Sequence, residues 1–247
     1  MSDSILEVRD LRCSLGGKNI LDGLSFSLEE GRIYALLGQP GSGKTVLLRT
    51  LAGLLPPEAG SAEISGVSIA DPAARRETGM LVGEPALWSD LNVANNLEMQ
   101  GRLLGKVDRK RMGKLMKALE ILPRNTGRQR IGSCPQSVKV RAALAMALLG
   151  SPRLLLLDEL FAGLDSDDAR LADALLKAET EERGMTALLT GSHLPLLWQT
   201  ATDFLLLKDG RIRAQYTKEA LEARLPEELT GTALTALQED RWKEEEQ

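Results

Sequence analysis

The chain has 247 residues, 43% of them hydrophobic, enough to build the core of one large α/β domain or two small ones. Its 31 basic and 35 acidic residues leave a net charge of -4 spread over both signs, which excludes a nucleic-acid partner held by bulk charge. Cys13 and Cys134 form no metal-ligand or CxxC spacing, no basic and apolar leader opens the chain, and no window approaches ~18 uninterrupted apolar residues, so a cytoplasmic protein is expected.

Ile5 to Arg12 and Ile20 to Leu28 read as strands around a Gly16-Gly17 turn, and Glu29-Glu30-Gly31 turns the chain into a third strand, Arg32 to Leu37. Next comes Gly38-Gln39-Pro40-Gly41-Ser42-Gly43-Lys44-Thr45, then a helix expected over Val46 to Leu55 and stopped by Pro56-Pro57. A strand before and a helix after are the setting a phosphate loop requires. Its glycines let successive amide N–H groups converge on a β-phosphate, and the helix adds its positive end. Lys44 would reach the β- and γ-phosphates of a bound triphosphate, and the Thr45 hydroxyl a bridging Mg2+.

A strand-rich passage follows around Ala62 to Ile69. From Leu87 to Leu149 strand-like runs disappear and apolar residues recur at helical spacing, for example Leu97, Leu104, Leu115, Ala118, Leu119 and Leu122, which predicts an inserted helical subdomain. Within it Lys106, Arg109, Lys110, Arg111 and Lys114 read as a solvated helix face, and Met99, Met112 and Met116 as packing. The run Leu154 to Leu157 has the pattern of a parallel strand covered on both faces. A helix from about Asp167 to Arg183 stops at Gly184, and Thr186 to Thr190 and Phe204 to Leu207 are further strands. Past Gly210 the chain reads as helical, with an acidic tail from Trp242 to Gln247.

Asp158 ends an apolar strand, where a carboxylate can hold magnesium beside a phosphate loop, and Glu159 after it could orient or deprotonate an attacking water. His193, the single histidine, follows the next strand on the ligand side of an open parallel sheet and is placed to sense a γ-phosphate.

In this order the residues resemble the nucleotide-binding subunit of ATP-binding cassette (ABC) transporters over about residues 5 to 212. Gly38 to Thr45 matches the family's Walker A motif, Leu154 to Asp158 its Walker B, and Glu159 its catalytic glutamate. Ala162-Gly163-Leu164-Asp165 looks like the D-loop, with Asp165 lining the partner's site, and Ser192-His193 like the switch histidine. Leu87 to Leu97 resembles the segment after the Q-loop that faces the membrane subunit; its wording and Arg141 to Ala145 are nearest to the ABC ATPases that move phospholipids with mammalian-cell-entry proteins.

Three positions depart from the pattern. The LSGGQ signature falls on Cys134-Pro135-Gln136-Ser137-Val138, none of which agrees. In the family it holds the γ-phosphate bound to the other subunit; Pro135 has no N–H to offer, and Gln136 and Ser137 put side chains where the family has bare backbone. Gly83 stands in the Q-loop glutamine position, with Glu84 beside it, and Leu15 takes the place of the aromatic that stacks on adenine.

The resemblance implies an α/β P-loop NTPase, a RecA-like mixed or parallel sheet core with an antiparallel β subdomain and an inserted helical subdomain. The chain reads as one ABC ATPase domain: 1–86 and 151–212 form the core, 87–150 the helical subdomain and 213–247 a helical, acidic tail. The expected function is an ATP-Mg hydrolysing subunit peripheral on the cytoplasmic face of a membrane. Permease subunits and a second ATPase subunit are the expected partners, a heterodimer being favoured over a homodimer. Alternatives are a regulatory subunit that binds ATP with little hydrolysis and a non-transport ABC ATPase.

Overall fold

The computed structural model describes residues 4–122 and 129–223. A four-stranded antiparallel sheet, in the order β2-β1-β4-β5, is built from β1 (Ser4–Leu15), β2 (Lys18–Glu29), β4 (Ala59–Ile64) and β5 (Val67–Ser68). A six-stranded sheet runs β10-β9-β3-β8-β7-β6 and comprises β3 (Ile33–Leu37), β6 (Thr78–Leu81), β7 (Leu154–Leu157), β8 (Thr186–Leu189), β9 (Asp203–Lys208) and β10 (Arg211–Thr217). All its pairings are parallel except that of the edge strand β10.

Alternation along the central strands divides the core in two, because successive side chains leave opposite faces of a sheet. Ile33, Ala35, Leu37, Leu155 and Leu157 face the helical insert and the long helix α6 (Ser166–Arg183). Tyr34, Leu36, Leu154 and Leu156 face α1 (Lys44–Leu51) and the antiparallel sheet. Leu154 to Leu157 are all 0% exposed, as an unbroken apolar run covered on both faces requires.

Between β6 and β7 the described elements are helical: α3 (Val93–Leu103), α4 (Arg109–Ala118), a 3-10 turn Ile131–Ser133 and α5 (Gln136–Leu148). The short α2 (Pro72–Arg76) precedes β6, α7 (Leu194–Thr200) lies between β8 and β9, and α8 (Lys218–Glu222) follows β10.

Four expectations are corrected. The helix after the phosphate loop ends at Leu51, before the prolines: Gly53 takes φ 68°, and the Leu54 and Leu55 N–H groups return to Arg49 O at 2.9 and 3.2 Å. Past Gly210 the chain first forms the strand β10, whose residues alternate in exposure and pair with β9; the tail from Trp242 lies outside the described residues. Met112 and Met116 are buried, but Met99 is 40% exposed, and of the apolar positions listed for the insert Leu104 and Ala118 are exposed. Arg111 is no solvated cation: its Nη1 and Nη2 donate to the Glu179 carboxylate at 2.5 and 2.6 Å, with Nη2 also donating to Leu148 O.

That pair, 10% and 9% exposed, clamps α4 onto α6. A second pair, Arg141 with Asp168 at 3.0 Å, clamps α5 onto the same helix, and Arg141 Nη1 also donates to Leu119 O. Removing one member of a buried pair strands the other charge, at a cost of about 3–5 kcal/mol. Glu179→Ala is therefore expected to lower unfolding stability by about that amount in urea titrations, whereas the double change Arg111→Met with Glu179→Leu should recover most of it. A Glu179→Ala loss under about 1 kcal/mol would show that the clamp carries no net stability.

Candidate nucleotide-binding site

The carboxyl ends of β3, β8 and β7 lie side by side, since β3 pairs with β8 and β8 with β7 in parallel register, Ala35 opposite Leu189 and Leu157 opposite Leu189. The phosphate loop leaves β3, Asp158 and Glu159 follow β7, and Thr190 follows β8. This is the side of an open α/β sheet where ligands bind.

Lys44 opens α1 and turns back over the loop, its Nζ donating to Gly38 O at 2.6 Å and Gln39 O at 3.1 Å. Burial lowers its pKa, while the nearby Glu159 and Asp158 carboxylates act in the opposite direction. The loop fits a triphosphate on two counts: among the described residues the buried Ser42 Oγ has no partner, and the ammonium is held only by carbonyls of its own loop. A cavity of about 430 Å³ adjoins it, lined by Asn19, Ile20, Pro40, Gly41 and Asp209 among others.

Thr190, which the sequence reading passed over as a strand end, joins the two acids. Its Oγ1 donates to Asp158 Oδ1 at 2.6 Å and accepts from the Glu159 N–H at 3.0 Å. Glu159 has φ 50°, a left-handed conformation that is uncommon for a non-glycine residue and concentrates at functional sites. Its Oε2 accepts from the Ser192 N–H at 2.9 Å and Oγ at 3.1 Å, which fixes the carboxylate toward the turn after β8. His193 is exposed and caps α7, with Nδ1 accepting from the Leu196 N–H at 3.3 Å. An accepting Nδ1 places the proton of a neutral ring on Nε2, leaving that atom as a donor.

The other candidate positions are distributed around this centre. Asp165 is the N-cap of α6, its Oδ1 accepting from the Asp167 and Asp168 N–H groups at 3.0 and 2.8 Å. Gly83 has φ 80°, a conformation a glutamine would adopt only under strain, and Glu84 next to it is exposed. Leu15, at the end of β1, is 54% exposed. Cys134 is buried, Pro135 is the N-cap of α5 and supplies no side-chain cap, and Gln136 opens the helix with its Cγ 3.2 Å from where a Gly163 Cβ would be.

The family model described as ABC transporter matches residues 21–162. The daunorubicin resistance ATP-binding protein DrrA3 of Streptomyces coeruleorubidus is 33% identical over 229 residues, covering 90% of this chain and 71% of that protein. An uncharacterized ABC transporter ATP-binding protein of Bacillus subtilis, YhcH, is 31% identical over 193 residues, covering 77% of this chain and 62% of that protein. The sulfate/thiosulfate import ATP-binding protein CysA of Rhodopseudomonas palustris is 34% identical over 217 residues, 84% of this chain and 61% of its own. Among solved structures, an ATP-binding subunit of an ABC transporter superposes with TM-score 0.81 at 23% identity, covering 94% of this chain and 99% of that one. The ATP-binding cassette MJ0796, a dimer in a post-hydrolysis state with ADP and Pi, gives TM-score 0.77 at 22% identity and covers 86% and 98%. At those identities the two structures speak for the fold.

The Lys44 environment has a pH consequence. A charged ammonium attracts a triphosphate and a neutral amine does not, so ATP affinity is expected to fall by about tenfold or more as pH rises through the lowered Lys44 pKa, below the ordinary lysine range. Lys44→Arg stays protonated and should lose this alkaline fall. Fluorescent ATP-analogue titrations from neutral to alkaline pH test the point, and parallel curves for the two proteins would refute it.

Proposed function

The chain belongs to the ABC transporter family as its ATP-binding cassette, an ATPase of that family, and on that premise we propose that it works as one half of an asymmetric pair. In this reading it binds ATP-Mg and hydrolyses it only when a different ATPase subunit completes the site. One contrast carries the proposal. The groups needed within the chain are gathered at the strand ends, Lys44 over Gly38 and Asp158, Glu159, Thr190 and Ser192 in one network. The segment that would be offered to a partner, Cys134 to Val138, has no N–H at Pro135, no side-chain cap at the start of α5, and side chains at Gln136 and Ser137.

Lys44 moves from the Gly38 and Gln39 carbonyls to the β- and γ-phosphates, which replace the same donor contacts with anionic ones. Thr45 and Asp158 are the residues that would hold magnesium, which when bound neutralises charge on the β- and γ-oxygens. The Ser192 bonds engage Glu159 Oε2, so Oε1 is the oxygen that polarises the attacking water in line with the γ-phosphorus. His193 donates from Nε2 to a γ-oxygen. Asp165 faces the partner's site, and Leu15 gives the base an aliphatic contact in place of a stacking one.

A permease would seat a cytoplasmic helix in the groove beside Gly83 to Leu97. Two cavities there, of about 400 and 290 Å³, share Glu84 on their walls; Val82, Ala86 and Leu104 line the first and Pro85 and Leu87 the second. No described helix is long and apolar enough to cross a membrane, and attachment through the permease would give the chain a peripheral place on the cytoplasmic face. The cargo belongs to the permease. Phospholipid traffic with mammalian-cell-entry proteins is the finer reading suggested by the wording of 87–97 and 141–145, whereas the named relatives serve daunorubicin resistance and sulfate/thiosulfate import.

The isolated chain is expected to bind ATP but turn it over slowly, with turnover rising on addition of a cassette that carries an intact signature and vanishing with Glu159→Gln. Rewriting its own segment by Pro135→Ser, Gln136→Gly and Ser137→Gly should raise self-paired turnover by tenfold or more: Pro135→Ser restores a backbone donor worth about 1.5–3 kcal/mol to a phosphate, and the glycines clear two side chains from the helix start. Fast hydrolysis by the unmodified chain alone would remove the asymmetric reading, and ATP binding without phosphate release in every pairing would favour a regulatory subunit.

A further inference from the structure

The turn between α3 and α4 combines two properties that nothing in the nucleotide chemistry uses. Of the five exposed large hydrophobic residues among those described, three fall within six positions here: Met99 at 40%, Leu103 at 71% and Leu104 at 45%. A fourth, Leu54 at 59%, lines with Leu104 the groove assigned above to the permease helix, so Leu103 is the apolar side chain of the turn left to this surface. Immediately after the leucines the charge turns strongly positive. Residues 102–117 hold seven basic side chains and one acidic one, in a chain whose net charge is -4.

Some of these charges already have partners. Arg102 pairs with Glu98 at 2.8 Å, Arg111 with Glu179, and the Asp108 carboxylate caps α4 through the Arg111 N–H at 2.9 Å. Lys106, Arg109, Lys110, Lys114 and Lys117 are exposed and make no ion pair among the described residues. The turn itself is fixed in shape: the Gly105 N–H returns to Arg102 O at 3.0 Å and the Lys106 N–H to Gly101 O at 2.9 Å, with Val107 packed against the core. Little ordering is therefore needed when it meets a surface.

We propose that this turn is a contact for an anionic lipid bilayer, with Leu103 entering the headgroup boundary and Lys106, Arg109 and Lys110 meeting lipid phosphates. A bilayer matches both properties at once, because its phosphate plane lies directly over hydrocarbon. An acidic protein loop would answer the cations and leave Leu103 in water. A single turn binds weakly, so it would add a second attachment beside the permease groove, as peripheral anchoring by two signals requires. The contact goes beyond the proposed ATPase cycle and does not depend on it.

Sedimentation of the full chain with vesicles of phosphatidylcholine alone, or mixed with phosphatidylglycerol, tests the proposal. Binding is expected to the mixed vesicles only and to weaken as salt rises. The triple variant Lys106→Gln, Arg109→Gln, Lys110→Gln should bind about 100-fold more weakly, each cation near a charged surface being worth about fivefold. Leu103→Asp should cost about tenfold or more. Unchanged ATP affinity and unfolding temperature in both variants would establish that they fold. Equal binding to both vesicle types, none to either, or variants that bind like the parent would overturn the proposal. Loss of permease co-purification in the triple variant, without vesicle binding by the parent, would assign the surface to an acidic protein segment instead.

Discussion

One hydroxyl fixes the centre of this molecule. Thr190 Oγ1 joins the ends of two adjacent parallel strands by donating to Asp158 and accepting from the Glu159 N–H. The bond exists because β7 and β8 run in register to Leu157 and Leu189, so the residues that follow them leave the sheet side by side. Glu159 then turns through φ 50°, a conformation that costs about 1–3 kcal/mol and persists where its surroundings over-determine it. Thr190 at its amide and Ser192 at its carboxylate supply that determination. A register slip of one residue would exchange the two faces of the strand and take the acids from the phosphate loop.

The same geometry explains the state of Lys44. Burial alone opposes its charge, and the two carboxylates partly restore it, so the loop keeps a cation beside a set of anions without a direct ion pair to them. A triphosphate entering between them would meet Lys44 as its nearest positive group and the carboxylates as its repulsive wall.

What could be read from the sequence was what local chemistry decides. The phosphate loop demands its glycines, its strand and its helix within a short span, and Leu154 to Leu157 can be covered on both faces only as a central parallel strand. Arg111 was missed because its partner is 68 positions away; helical spacing places five cations near one another but cannot tell which one a distant helix will bury. Thr190 was missed for the same reason, its bond to Asp158 spanning 32 positions. β10 alternates exposed and half-buried residues and has a sheet neighbour on one side only, so tertiary pairing with β9 decided between strand and helix. Gly83 takes φ 80°, a conformation that favours the glycine the sequence has there.

The two buried ion pairs also fix how the start of α5 is presented. Arg141 lies five residues beyond Gln136 in α5, and Asp168 three beyond Asp165 in α6; their pair at 3.0 Å, with both side chains 11% exposed, ties the starts of the two helices together. Arg111 and Glu179 tie the middle of the insert to the far end of α6. Buried pairs resist partial separation, since pulling one charge from the other leaves both desolvated. The Cys134 to Val138 segment and the Asp165 turn are thus presented on one rigid support. A neighbouring cassette would meet them as a single surface in which Asp165 is a cap already engaged with its own helix and Pro135 offers no donor. A neighbour's anion would meet the Gln136, Ser137 and Val138 N–H groups at the start of α5 but none from Pro135, one backbone donor fewer than any other residue would give at that position.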